Sequence, residues 1–371
     1  MKVLTVIDSL RLGGAENVLV TLARAAASAD LQLQVLSLGP STGPQAQLSP
    51  LLEAEGMRPR FLSLRRLADP TAVPRIARAI RASGCDVVHA HLEHAATLVP
   101  PASALARRPA VSTFHQLAGQ LQGREAVKER LAIAAANRGR SVVFVSSACL
   151  ESFAERYRRH GRWVVLPNAV DLDQYTPTPA TMPANLAIPH GVPTVAVVAA
   201  LRPAKDHETA LRAWPAVLAR VPSARLVVVG AGPTLPELER LAAREGIADR
   251  VVFAGLRTDV TTILRASTLA ALPTTTEALP TALIEAAACG RAAVASDVGG
   301  VREVLVNGET GLLVPPRDPG ALAQAIRALL LDEPTRTRMG RRARERAECM
   351  FGMTRWAKEL RALYENAGAS G

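Results

Sequence analysis

Aromatic residues make up only 3% of this 371-residue chain. A surface that stacks single-stranded nucleic acid interleaves aromatic platforms with its cations, so nucleic acid is not an expected partner. The four cysteines, Cys85, Cys149, Cys289 and Cys349, are far apart and form no Cys-x-x-Cys pair. They read as small buried hydrophobes rather than as a disulfide frame or a metal knuckle. No apolar run is long enough to cross a bilayer. The opening Met1-Lys2-Val3-Leu4-Thr5-Val6-Ile7-Asp8 sets an acid directly after a short apolar run, which suits a buried first strand better than a signal peptide. A cytoplasmic protein is therefore expected. Acids are also outnumbered: 44 Lys and Arg face 33 Asp and Glu, a net charge of +11. The excess is almost all arginine, clustered at Arg65-Arg66, Arg107-Arg108, residues 156–162 and residues 336–346. Such a surface attracts phosphorylated substrates or an anionic membrane, and peripheral contact with the inner face of a membrane is one expected partnership.

What is present is the balance of a globular protein, 49% hydrophobic and 21% charged. The length exceeds what one core usually fills, so two domains are expected. Short apolar runs at residues 3–7, 33–38, 86–89, 110–113 and 142–145 alternate with stretches of helical spacing such as 71–82 and 126–137. Five prolines and little periodicity mark residues 171–193 as a linker. The alternation then resumes, with strands expected at 195–199, 226–229, 251–253, 269–272 and 292–295 and helices at 208–218, 235–245 and 282–288. Two doubly wound α/β units with parallel sheets follow from this order. We expect the first domain over residues 1–170, the second over 194–345, and a C-terminal helix over 346–371 returning to the first. Ligands of such sheets bind beyond the carboxyl ends of the strands, which makes the cleft between two of them the expected active site.

Several loops carry chemistry. Arg11-Leu12-Gly13-Gly14-Ala15-Glu16 follows the first strand and leads to a helix expected over 17–27. Its glycines allow close backbone approach to an anion, and the helix N-terminus adds partial positive charge. In Ala200-Leu201-Arg202-Pro203-Ala204-Lys205-Asp206-His207 two cations, Arg202 and Lys205, sit just past a strand end, where a departing pyrophosphate would need them. Further on, Glu277 lies in a loop, Pro280 suits the first turn of a helix, and Glu285 falls inside that helix among Leu283, Ile284 and small residues. An acid in so apolar a setting needs a partner, either ribose hydroxyls or a basic side chain.

Three other signals have plainer readings. Asp171-Leu172-Asp173 follows Pro167-Asn168 and reads as a turn rather than a metal motif. Gly230-Ala231-Gly232 lacks a third glycine and reads as a helix-opening turn rather than a dinucleotide fingerprint. His89 and His91 are expected on opposite faces of their strand, and on that expectation no metal is assigned to them, to His94 or to His115.

Taken together, Glu277-x7-Glu285 in the setting Glu-x-Leu-Pro-x-x-Leu-Ile-Glu-Ala-x-Ala-Cys-Gly resembles the donor signature of family 4 retaining glycosyltransferases, which have the two-Rossmann-domain GT-B architecture. Gly13-Gly14-Ala15-Glu16, Asp86-Val87-Val88-His89-Ala90-His91, Ser112-Thr113-Phe114-His115, Pro167-Asn168-Ala169-Val170-Asp171, Ser296-Asp297-Val298-Gly299-Gly300-Val301-Arg302-Glu303 and Asn307-Gly308-Glu309-Thr310-Gly311-Leu312-Leu313-Val314 are similar to further family segments, in the family's order. The resemblance implies a hexose-type transfer from a nucleoside-diphosphate sugar, UDP-sugar favoured, to a glycan or lipid-linked acceptor in surface polysaccharide or glycoconjugate synthesis. It implies no cofactor beyond that co-substrate and no metal. Lys205 would hold the diphosphate and Glu285 the ribose. Glu277 would face the sugar with backbone N–H groups from Ala278, Leu279, Pro280 and Thr281. Gly13 and Gly14 would close over the phosphates, and His115, with His91 on the same wall, would lie near the reacting sugar and the acceptor. Ala200 departs from the family, which places an arginine there, and Arg202 is the candidate to replace it. A disaccharide phosphorylase of the same fold and a non-catalytic sugar-nucleotide-binding subunit are the alternatives.

Overall fold

A computed structural model describes residues 1–64, 69–120 and 123–369. The Arg65-Arg66 pair lies outside the described residues. The chain divides into two compact units, Met1–Ala169 with Met353–Gly371, and Val170–Gly352.

In the first unit β1 (Lys2–Ile7), β2 (Gln32–Ser37), β3 (Arg60–Phe61), β4 (Val87–His91), β5 (Ala110–Phe114), β6 (Ser141–Phe144) and β7 (Trp163–Val165) form one sheet in the order β3-β2-β1-β4-β5-β6-β7. All its pairings are parallel. The winding reverses between β1 and β4, whose register sets Ile7 beside His91. The second unit repeats the plan with β8 (Thr194–Val198), β9 (Arg225–Val229), β10 (Val251–Gly255), β11 (Leu269–Leu272), β12 (Ala293–Ser296) and β13 (Gly311–Val314), in the order β10-β9-β8-β11-β12-β13. Here the reversal falls between β8 and β11. In a doubly wound sheet that reversal splays the flanking loops apart and opens the ligand crevice at the strands' carboxyl ends. Both faces of both sheets are covered, which is why the central strands read as unbroken apolar runs. The last helix, Met353–Ala369, buries Trp356, Leu360 and Tyr364 against Val3, Val87, Val111 and Val143 of the first sheet.

The strands β3, β7 and β13 are absent from the sequence reading. Each is a sheet edge of two to four residues, and an edge paired on one side needs less apolar length to hold its place. The first helix starts at Gly14, three residues before the expected 17, because the extended Gly13 serves as its N-cap and Asn17 N–H donates to the Gly13 carbonyl at 2.9 Å. Cys349 is exposed, against the reading of all four cysteines as buried; it sits on the outer face of the arginine-rich helix Glu333–Met350.

Among the described residues no helix is long and apolar enough to cross a membrane.

Candidate functional site

In the second unit the site residues gather at the β8/β11 reversal. Arg202 N-caps a short 3-10 turn, Pro203–Lys205, in the loop after β8. The Ala204 carbonyl of this turn accepts from the Thr275 N–H at 2.9 Å and from the Thr274 hydroxyl at 2.9 Å. Thr274 is fully buried and its hydroxyl also reaches the Thr276 carbonyl at 3.0 Å. The loop after β8 is thus stapled to the loop after β11, and the staple brings Lys205 onto Glu277. Their ammonium and carboxylate form an ion pair, with side chains 26% and 11% exposed. The Glu277 carbonyl accepts from Gly300 N–H at 3.0 Å, which ties the same loop to the one after β12. The sequence reading gave Lys205 and Glu277 separate tasks; the fold makes each the other's immediate partner. Asp206, in a left-handed conformation (φ 46), turns its carboxylate back to the Thr209 hydroxyl at 2.7 Å and starts the helix His207–Leu218. His207 is buried beside Lys205. Burial, with the lysine charge second, pushes its imidazole down to about 4.

Arg202 is exposed and has no side-chain partner among the described residues. Ala200, where the family carries an arginine, is exposed one strand-end away. Beneath this loop Gly230 (φ +143) and Gly232 lie so close to the Ala199 and Leu201 carbonyls that neither has room for a Cβ. The Gly230-Ala231-Gly232 turn therefore fixes the backbone under Arg202, with Leu201 N–H donating to Ala231 at 3.0 Å.

Helix Thr281–Ala288 follows β11 with Pro280 as its N-cap rather than within its first turn. Proline has no N–H, so Pro280 drops out of the donor set named above. The N–H groups of Leu279, Thr281 and Ala282 make no hydrogen bond among the described residues, and they point past the helix start where an anion is favoured. Glu285 lies one turn further on. Burial raises its carboxyl to about 7, and the Tyr175 hydroxyl beside it draws it part of the way back. Tyr175, which also hydrogen bonds Thr261, is pushed up by burial and by Glu285. Tyr175 is the functional neighbour that sequence reasoning missed. It sits in a turn closed by the Asp171 carboxylate, which accepts from Asp173 N–H at 3.0 Å. Arg344 pins that turn by donating to the Tyr175 carbonyl at 2.6 Å and to the Ala288 carbonyl at 2.7 Å. No local pattern in the sequence connects residues 175, 285 and 344.

In the first unit the reversal point carries Asp8, the Gly13-Gly14 turn and three histidines. His89 and His91 are two residues apart, one full pleat, so they share a face. This corrects the expectation that they diverge: the rings lie 4.1 Å apart between centroids, tilted by 39°, and His91 stacks on His115 at 5.3 Å. His89 is satisfied at both nitrogens, by Tyr364 Oη at 2.7 Å and Thr113 Oγ1 at 2.6 Å. His91 Nδ1 bonds His115 Nε2 at 3.0 Å. Burial holds all three imidazoles neutral, His89 at about 3, His115 at about 4 and His91 well below its usual value. A neutral imidazole has one N–H and one lone pair. With one of each spent between His91 and His115, the outer nitrogens, His91 Nε2 and His115 Nδ1, present one donor and one acceptor. Both are buried without a partner among the described residues, the arrangement a sugar hydroxyl pair would satisfy.

Asp8, just past β1, clamps the helix Glu93–Ala106 by accepting from Ala95 N–H at 2.7 Å and His94 N–H at 3.1 Å. Burial nonetheless raises its carboxyl to about 7. At the Gly13-Gly14 turn the Glu16 carboxylate folds back over Gly13, into the space a Cβ would take. An anion approaching this helix start meets that carboxylate first.

Comparison with known proteins agrees with the fold and the order of these loops. The sequence model of Glycosyltransferase Family 4 matches residues 12–174, and that of Glycosyl transferases group 1 matches residues 180–346. A GDP-mannose-dependent alpha-(1-6)-phosphatidylinositol monomannoside mannosyltransferase of Mycobacterium tuberculosis is 35% identical over 216 residues, 55% of this chain and 56% of that one. A D-inositol 3-phosphate glycosyltransferase of Corynebacterium glutamicum is 34% identical over 219 residues, 56% of this chain and 52% of that one. The chain thus spans about half the length of the curated relatives it matches. Among solved structures, Anabaena HepE in complex with UDP and glucose superposes with a TM-score of 0.84 at 22% identity, covering 97% of this chain and 98% of that one. A sucrose-phosphate synthase from Thermosynechococcus elongatus gives 0.79 at 22% identity, covering both chains fully at 100%.

Proposed function

Since the chain belongs to the family 4, group 1 glycosyltransferases of GT-B fold, we propose that it moves a hexose-type sugar from a nucleoside diphosphate to a hydroxyl of a glycan or lipid-linked acceptor, with retention at the anomeric carbon. The observation that carries this reading is the assembly of Lys205, Glu277 and Glu285 around the β8/β11 reversal of one sheet.

Each residue then has a task. The donor diphosphate lies across the Pro203–Lys205 turn, where the Lys205 ammonium and the exposed Arg202 guanidinium meet charge that grows as the bond to the sugar breaks. Arg202 takes the place left by Ala200. The N–H groups of Leu279 and Thr281 add dipoles aimed at the same charge. With phosphate present, Lys205 is shared between it and Glu277, and the Glu277 carboxylate turns to the sugar hydroxyls. Glu285, held by Tyr175, accepts from the ribose hydroxyls, and does so most strongly when ionised. The outer nitrogens of His91 and His115, one donor and one acceptor, serve hydroxyls of the sugar or the acceptor. Gly13 and Gly14 offer their backbone to a phosphate once the Glu16 carboxylate swings aside. The departing phosphate itself takes the acceptor's proton on the face it leaves. These fixed cations supply the charge stabilisation that a metal supplies elsewhere.

The donor base is the open choice within this reading. The M. tuberculosis relative is GDP-mannose-dependent by name and HepE was solved with UDP; the sequence reading favours UDP. A screen of UDP-, GDP-, ADP- and TDP-sugars, read by donor hydrolysis and by the anomeric configuration of the product, decides it. Turnover of none of them, or product of inverted configuration, overturns the proposal. We also place the protein in the cytoplasm, at the inner face of a membrane when its acceptor is lipid-linked.

A further inference from the structure

The first sheet has a second polar concavity at its other edge. The strands β5, β6 and β7 begin there, and the loops that lead into them carry Arg107 and Arg108, Arg138 and Arg140, and Arg162. These five arginines line one depression of about 410 Å³ together with Ala110, Gly139, Ala367 and Gly368, and among the described residues no acidic side chain lines it. Arg162 donates to the Gly139 carbonyl at 3.0 Å, and Arg140 N–H donates to the Ala110 carbonyl at 2.8 Å. The guanidinium groups of Arg107, Arg108, Arg138 and Arg140 have no ion-pair or hydrogen-bond partner among the described residues. Most of the protein's other arginines do: Arg24, Arg212, Arg257, Arg302, Arg344 and Arg361 all face carboxylates.

A helix C-terminus attracts cations, and three helices, Glu93–Ala106, Arg124–Ala136 and Met353–Ala369, end at this edge. Their macrodipoles supply about half a negative charge each. Five guanidiniums exceed that several-fold, so most of the positive charge is left for something else. Guanidinium forks match phosphate oxygens in geometry as well as charge. We propose that this depression is a binding site for a phosphate-bearing anion, separate from the donor and histidine sites. The strand β5 is five residues long, which at about 3.3 Å per residue sets the arginines roughly 17 Å from His115 at its far end. The ligand held here is therefore not the group undergoing transfer. Two sources present the same chemistry, a soluble phosphate ester or diphosphate and the headgroup of an anionic phospholipid.

The test compares the wild-type chain with the triple variant Arg108→Ser, Arg138→Ser, Arg140→Ser and with the charge-keeping triple lysine variant. One arm titrates inorganic pyrophosphate by calorimetry, with Arg202→Ala and Lys205→Ala added to every chain in this arm so that the diphosphate contacts of the donor site are removed. The other measures co-flotation with phosphatidylglycerol-containing vesicles against pure phosphatidylcholine vesicles. Donor hydrolysis and circular dichroism check that the active site and the fold survive, and both stay within twofold of wild type. The serine variant weakens phosphate or vesicle binding on the order of 100-fold while the lysine variant keeps most of it, since each basic residue near an anionic surface contributes about fivefold. Loss of pyrophosphate binding alone assigns a soluble ligand, loss of flotation alone a lipid headgroup, and loss of both a site open to either. If the wild type binds neither probe, or the serine variant binds both as the wild type does, the proposal fails.

Discussion

Tyr364→Phe removes one oxygen atom from the first unit and should be felt throughout it. The tyrosine is fully buried and its hydroxyl meets His89 Nδ1 at 2.7 Å. His89 is itself 1% exposed, and its other nitrogen is bound to Thr113 at 2.6 Å. Phenylalanine keeps the ring's packing against β1, β4 and β5 but leaves Nδ1 buried without a partner. An orphaned buried polar atom costs about 1–3 kcal/mol. A unit of this size shifts its midpoint by about 2–4 °C per kcal/mol, so a fall of roughly 5 °C is expected. Thermal unfolding followed by tryptophan fluorescence reports on this unit through Trp163 and Trp356, while Trp214 reports on the other unit. Thr113→Val, which orphans Nε2, should fall by a similar amount. The double variant should lose less than the sum, because both act through one imidazole. A Tyr364→Phe midpoint equal to wild type would refute the ladder from the C-terminal helix to His89.

Further outcomes follow from the second unit. Gly232→Ala drives a Cβ into the Leu201 carbonyl, which should destabilise that unit by about 1–3 kcal/mol by overpacking and lower donor affinity by displacing Arg202, both measurable by calorimetry. Glu285→Gln should separate stability from function. A carboxyl whose folded pKa is raised from 4.5 to about 7 lowers stability as pH rises through that window, by at most about 3 kcal/mol above it. Glutamine removes that penalty, so the variant should be more stable than wild type at about pH 8 yet equal near pH 4.5, while its KM for donor rises. The same group predicts that wild-type donor affinity weakens as pH falls below about 7, as the ribose acceptor becomes protonated. Arg302→Ala breaks an ion pair with Asp297 whose arginine is 71% exposed, and denaturation should show a midpoint close to wild type, because solvent screens an exposed pair.

The two-sheet plan was legible because central parallel strands are largely apolar on both faces, and β8, β9 and β11 show that directly. The edge strands β3 and β7 were not, since they are too short to stand out from loops. Lys205, Glu277 and Glu285 were legible through their spacing, which reflects a strand end, a loop and one and a half turns of helix. Their interactions were not. The Lys205 and Glu277 pair depends on a staple at Ala204 that joins loops some seventy residues apart, and the partner of Glu285 arrives from the turn at Tyr175. Asp8 escaped notice for the same reason: a lone acid after a strand looks solvated until the fold sets it against the N–H groups of His94 and Ala95. The histidine stack was within reach of sequence reasoning, because residues two apart on a strand always share a face.

The most direct test of the account is the rate at which purified Lys205→Ala hydrolyses or transfers from the donor that the wild type turns over. If Lys205 stabilises the departing diphosphate, kcat/KM falls at least about 100-fold, near 3 kcal/mol of transition-state stabilisation, with the fold intact by circular dichroism. An unchanged kcat/KM would contradict the assignment of the β8/β11 loops as the donor site.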